Sequence, residues 1–141
     1  MKIDISHLND VQRVHLKMLF VEAKWLCNDA LTFSHEHDIN DYDTSIQMVH
    51  GLDKDKQPVI HELEYLGSQM KQSVIQGIKH SLKGLATLKK HNHNVGSLHY
   101  KSDYVSINLQ QHYVSYRFYD EKHIGLQGFK QRIRITGANQ F

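Results

Sequence analysis

The densest chemical signature in this chain lies between positions 67 and 102, where six Lys and four His stand with no Asp or Glu among them. Ammonium and imidazole groups without a carboxylate to offset them suit the binding of a polyanion. Lys79, Lys83 and Lys90 recur at helical spacing, and Gln72 and Gln76 fall on the same side at about 100° per residue. Amides placed there can hydrogen-bond phosphate or ribose. Ser68, Gln69 and His80 belong to the same stretch, and His99 and Lys101 close it. Lys130 and the alternating Arg132 and Arg134 carry positive charge towards the C-terminus. His80, His91, His93 and His99 add charge below about pH 6.5. Tyr100, Tyr104, Tyr113 and Tyr116 are divided between stacking on unpaired bases and packing in a core.

Other chemistries are poorly served. His35-Glu36-His37 and His91-Asn92-His93 each offer two ring nitrogens, whereas a zinc site takes about three or four ligands held by further hydrogen bonds. Cys27 sits in an apolar helical segment, the setting of an inert core thiol. Ser68 and Ser73 have no base and orienting partner at readable spacing. Gly125-Leu126-Gln127-Gly128 lacks both the spacing and the Lys of a phosphate loop. No catalytic residue, metal or cofactor is expected. Metal-assisted phosphoryl cleavage in particular needs clustered carboxylates.

With 141 residues, 40% of them apolar, the chain can bury one core or form one domain with an appended lobe. Its net charge of +2 conceals a split. Residues 1–66 carry six Lys and Arg against twelve Asp and Glu, a net of −6; residues 67–141 carry eleven against three, a net of +8. Such asymmetry points to nucleic acid for the basic half, or to two lobes that attract each other. No apolar run matches a signal peptide or a membrane span, and one Cys makes no disulfide framework, so a cytoplasmic protein without membrane association is expected.

The elements that position these groups follow from periodicity. Residues 1–6 alternate as a short edge strand or arm. Asn9 or Asp10 caps a long helix running to about Ser34, with Val11, Val14, Met18, Val21 and Trp25 as one stripe and Leu19, Leu26, Ala30 and Phe33 widening it. Residues 35–44 read as an acidic loop or short helical turn. Ile46, Met48 and Val49, the charged tip 53–56 and residues 59–66 suggest a hairpin, although Leu63 and Leu66 are also compatible with the start of a helix. Gly67 and Ser68, as breaker and N-cap, open a second helix over 67–93, with Met70, Val74, Ile78, Leu82 and Leu85 facing a core. Gly77 and Gly84 inside it imply close approach, either of the first helix near Trp25 or of an RNA backbone. A turn at 94–96 leads to three strand-like runs, 104–109, 113–119 and 131–135, expected to form a small antiparallel barrel.

The segment 66–90 (LGSQMKQSVIQGIKHSLKGLATLKK) followed by 95–102 (VGSLHYKS) resembles the TnpB family, the OrfB-type insertion-sequence proteins. Residues 19–31 (LFVEAKWLCNDAL) are similar to that family's first recognition helix, and 124–128 and 132–137 to its late wedge-domain strands. The resemblance spans roughly residues 9–141. It implies an α+β chain: a helical recognition-like lobe with a hairpin over 9–94, and a wedge-like β-barrel over 95–141 completed by an arm at 1–8. Family members are RNA-guided DNA endonucleases related to compact type V CRISPR effectors, and this half holds the guide RNA and its duplex with target DNA. Their nuclease part needs three carboxylates and a four-Cys zinc ribbon that have no counterpart here. The implied function is non-catalytic binding of structured, guide-type RNA or an RNA–DNA duplex, as a front half or a nuclease-less relative. The alternative is a decoy or inhibitor that competes with, or docks on, a TnpB-like or type V effector.

Overall fold

The computed structural model describes residues 2–3, 6, 8–104, 106–107, 109, 113, 116–130 and 132–136. The chain is α+β, with two long helices and two small antiparallel sheets. Strand β1 (Lys2–Ile3) leads into helix α1 (Asp10–Ser34). A 3-10 turn at Ile39–Asp41 precedes the hairpin of β2 (Met48–Leu52) and β3 (Pro58–Glu62). Helix α2 (Ser68–Lys90) follows, and β4 (Tyr116–Asp120), β5 (His123–Leu126) and β6 (Ile133–Thr136) complete the fold.

Of the two residues proposed to cap α1, Asn9 does so. Its side chain accepts from the Gln12 N–H at 2.9 Å, and the Gln12 side chain accepts from the Asn9 N–H at 3.1 Å. This reciprocal box satisfies two otherwise orphaned donors. The buried face of α1 is rotated from the one periodicity suggested. Val11 and Val14 are 78% and 53% exposed, whereas Leu19, Ala23, Leu26, Cys27, Ala30 and Leu31 are buried. With apolar residues around most of the helix, hydropathy alone could not choose between adjacent stripes. The choice is made by the hairpin and α2, which pack against the second set.

Helix α2 is capped one residue earlier than expected, at Gly67 rather than Ser68. Ser68 is its first helical residue, and no side chain caps it. It ends at Lys90 rather than His93. Asn92 takes φ +63°, and the His93 and Asn92 N–H groups donate to the Leu88 and Lys89 carbonyls. That pattern terminates a helix through a left-handed residue, a conformation Asn tolerates. Met70, Val74, Ile75 and Ile78 join the core, Leu82 and Leu85 are half-buried, and beyond Ile78 almost every other residue is exposed. The second half of α2 therefore projects past the core.

The hairpin forms as expected, with Pro58 at the first position of β3, where no ladder donor is lost. Leu63 and Leu66 are buried in the connection to α2 rather than starting a helix. The second sheet has strand order β1-β6-β5-β4 and is open, not a closed barrel, among the described residues. Tyr104, Ser106, Ile107 and Leu109 are not in a strand; Val105 and Asn108 of that expected run lie outside the described residues, as do Val114, Ser115 and Gln131. Residues 123–126 lie outside the three runs expected from alternation, although the resemblance likened 124–128 to a strand, and they form the central strand β5. One face of this sheet carries Ile124, Ile133 and Ile135 onto Leu8 and Leu16 as a second, smaller core.

Leu26→Ala is expected to cost about 2–5 kcal/mol, as for other fully buried leucines. Val11→Ala should stay within about ±0.5 kcal/mol. Chemical denaturation of the Val11 variant separates the observed face of α1 from the stripe read by periodicity, with the Leu26 variant, buried on either reading, as the reference.

Candidate nucleic-acid interface

Three surfaces carry the basic residues. The first is the projecting half of α2. His80, Lys83 and Lys90 are exposed there and Lys79 is half-buried, while Gln72 and Gln76 are exposed on the core-packed first half of the helix. Ser68 is exposed and Gln69 half-buried at the other end of the same helix. Among the described residues no carboxylate pairs with Lys79, Lys83 or Lys90. Lys71 differs from the other lysines of this helix. It is buried, and its ammonium donates to the Ile46 carbonyl at 2.9 Å.

Gly77 and Gly84 lie on this helix with open space before them. A Cβ built at either would meet nothing within 4 Å among the described residues, so none of these requires a glycine there. Close approach of α1 is thereby excluded as their explanation.

The second surface is the extended segment after α2. Asn28 of α1 holds it by two hydrogen bonds to the backbone of one residue: its Oδ1 accepts from the Lys101 N–H at 2.8 Å and its Nδ2 donates to the Lys101 carbonyl at 2.9 Å. The Thr32 and Tyr100 hydroxyls meet at 3.1 Å. These contacts leave the Lys101 side chain exposed between two grooves. One, of about 430 Å³, runs beside α2 and is bordered by Gly77, Ser81, His99 and Lys101. The other, of about 500 Å³, lies between α1 and the hairpin.

The third surface is the outer face of the open sheet. Arg117 pairs with Gly125, and His123 with Arg134, so these positions share the face opposite the isoleucines. The Tyr119 ring lies between two guanidiniums, 4.5 Å from Arg117 and 4.2 Å from Arg132, in cation–π geometry. It also lies across Gly125, where a Cβ would come within 2.7 Å of it. Arg132, Arg134 and Lys130 are all exposed. Asp120 borders this face; the Lys122 N–H and the His123 ring hold its carboxyl below the usual range. Arg117 and Tyr119 were missed from the sequence, although the alternation of Tyr116–Asp120 puts both on one side.

Several other groups have structural partners. Tyr113 is exposed in a turn, whereas Tyr116 is half-buried and packs against the smaller core. His37 stacks on Phe33 and His35 sits edge-on to Tyr100. Among the described residues no three His, Cys, Asp or Glu side chains gather as a metal site. Cys27 is buried, and burial pushes its thiol pKa up. No described helix is long and apolar enough to cross a membrane. No protein-family model, curated protein or solved structure matches the chain, so the resemblance to TnpB proteins rests on the quoted residues alone.

Burial lowers the pKa of His15, which stacks on Phe129, and of His61, where Lys24 adds to the effect. A histidine whose folded pKa lies below its unfolded value of about 6.5 supplies stability above that pH. The contribution is lost as pH falls from about 6.5 through the folded pKa. Thermal melts should therefore show stability declining over that window, and a His15→Gln/His61→Asn double variant should show a smaller decline. Parallel declines in both proteins would contradict the assignment.

Proposed function

We propose that this chain binds structured RNA, or an RNA–DNA duplex, without catalysing a reaction on it. The observation that carries this reading is the solvent-exposed second half of α2. It is basic, free of acids and outside the hydrophobic core, so fold stability does not explain its composition. Gly77 and Gly84 support the same reading, because each costs about 1 kcal/mol in a helix relative to Ala while no described residue would crowd a Cβ there. A phosphate backbone lying along the helix would explain both features. In TnpB-like terms, the helical part and hairpin act as a recognition-like lobe and the open sheet as its wedge-like companion. The guanidinium-flanked Tyr119 extends the basic surface there, and stacking with unpaired bases suits such a face.

A second reading is favoured by the outer face of the hairpin. Met48, Leu52 and Ile60 are exposed together on a two-stranded sheet in the acidic half of the chain. A decoy or inhibitor docking on an effector protein would use such a face. RNA binding that is unaffected by changes in α2 would favour it.

Binding through Lys79, Lys83 and Lys90 must weaken with salt, because each neutralised phosphate releases counterion. The slope of log K against log salt is about −0.7 per contact for single strands and about −0.9 for duplex DNA. Replacing all three by Gln should flatten the slope by roughly two to three units. Fold stability should change by no more than about ±0.5 kcal/mol. The control pair, Lys54 and Lys56 at the hairpin tip, should be silent. No change from the helix set, or an equal change from both sets, would overturn the reading.

The glycines give an independent test. Gly77→Ala and Gly84→Ala should each stabilise the fold by up to about 1 kcal/mol while weakening RNA binding. Stabilisation without loss of binding would remove the glycines from the interface.

A further inference from the structure

The groove between α1 and the hairpin is anomalous for its position. It lies in the half of the chain with net charge −6, yet none of its lining residues is acidic. Trp25 and His61 form a parallel stack in its wall, with ring centroids 3.8 Å apart and planes 3° from parallel. Gly51 backs the stack, since a Cβ there would come within 3.2 Å of the His61 ring. Lys24 and Lys101 reach the cleft from α1 and from the segment pinned by Asn28, and Tyr100 closes one side.

The hydrogen-bonding inventory narrows what fits. Both polar atoms of Asn28 are engaged with the Lys101 peptide, and the Thr32 hydroxyl is paired with that of Tyr100. Asp29 of α1 does not line the cleft; it accepts from the Tyr42 hydroxyl at 2.5 Å and from the N–H of His50, a lining residue, at 2.9 Å, with its carboxylate 3.5 Å from the His50 ring. The cleft is left with two ammonium groups beside planar aromatic surface. Its volume of about 500 Å³ lies in the usual range for small-ligand sites.

We propose that this cleft binds one nucleotide unit, with the base against the Trp25–Tyr100 side and the phosphate between Lys24 and Lys101. Ammonium groups recognise phosphate as point charges, and stacking on an aromatic wall tolerates any base. A nucleotide unit can come from a free mononucleotide or from an unpaired position in a strand. Occupancy by a strand rests on the function proposed above; occupancy by a free mononucleotide does not.

Trp25 is the only tryptophan, so its fluorescence reports on this cleft alone. Adenosine monophosphate, inorganic phosphate and an unstructured eight-nucleotide RNA are titrated separately, with anisotropy of the labelled RNA followed in parallel. Quenching by the mononucleotide, by the RNA or by both is expected, and inorganic phosphate should give little because it has no ring. Lys24→Gln and Lys101→Gln should each weaken the quenching interaction about tenfold or more, as expected for a lost charge-assisted contact. Thermal melts check that both variants fold, and Trp25→Phe should remove the signal. The Lys79/Lys83/Lys90→Gln variant should keep mononucleotide quenching while losing RNA anisotropy. RNA binding by that variant at full strength would remove the α2 surface and leave the cleft standing. Silence from both nucleotide probes, or quenching insensitive to Lys24 and Lys101, would overturn the cleft.

Discussion

The larger core is organised around a buried carboxylate. Glu22 is 0% exposed in the middle of α1, and both its oxygens accept from the Tyr65 N–H, at 3.1 and 2.8 Å. Burial raises its pKa, opposed by hydrogen bonds from the Tyr65 and Glu64 backbone and by the charge of Lys71. Lys71 is itself buried and tied to the Ile46 carbonyl before β2. Two polar side chains thus fix the entry to the hairpin, its exit and the first turn of α2 against α1. A buried donor left without its acceptor costs about 1–3 kcal/mol, so sliding these elements past one another is opposed more steeply than by apolar packing alone. Hydrophobic contacts from Leu26, Val49, Val74 and Ile75 then fill the space around this framework.

That arrangement determines what is left for function. With its first turns committed to the core, α2 places its later turns in solvent, where the lysines stand without carboxylates. The hairpin lies along α1 through the Trp25–His61 stack, and Asn28 fastens the segment after α2 beside it. A cleft remains between them. At the other end of α1, His15 packs against Phe129, Tyr65 and Gly128; a Cβ at Gly128 would come within 2.8 Å of the His15 ring, and its φ of +88° also favours glycine. The inner face of the small sheet packs there, and its outer face is left to Arg117, Tyr119 and Arg132.

Much of this was legible beforehand because the signals were local. The Asn9 cap, the extent of α1, the hairpin with its charged tip and the exposed lysine face of α2 all follow from residues within a few positions of one another. What could not be read depended on distant partners. The buried stripe of α1 was set by elements some 20–60 residues away, and Val11 and Val14 looked as suited to burial as Leu19 and Leu26. Lys71 was counted with the six lysines of the basic stretch, and only the fold shows that the carbonyl of residue 46 claims it. Strand β5 was obscured by Gly125, which is small because Tyr119 crosses it. The cleft was invisible for the same reason: Trp25, His61 and Lys101 are far apart in sequence and meet only in the fold.

The central claim is that the acid-free half of α2 is a nucleic-acid surface. Lysine acylation footprinting read by mass spectrometry, with and without a hairpin RNA carrying a single-stranded tail, tests it residue by residue. The account predicts protection of Lys79, Lys83 and Lys90 on RNA addition, with Lys54 and Lys56 labelled equally in both states. Protection spread evenly over all five lysines, or confined to the hairpin tip, would contradict it.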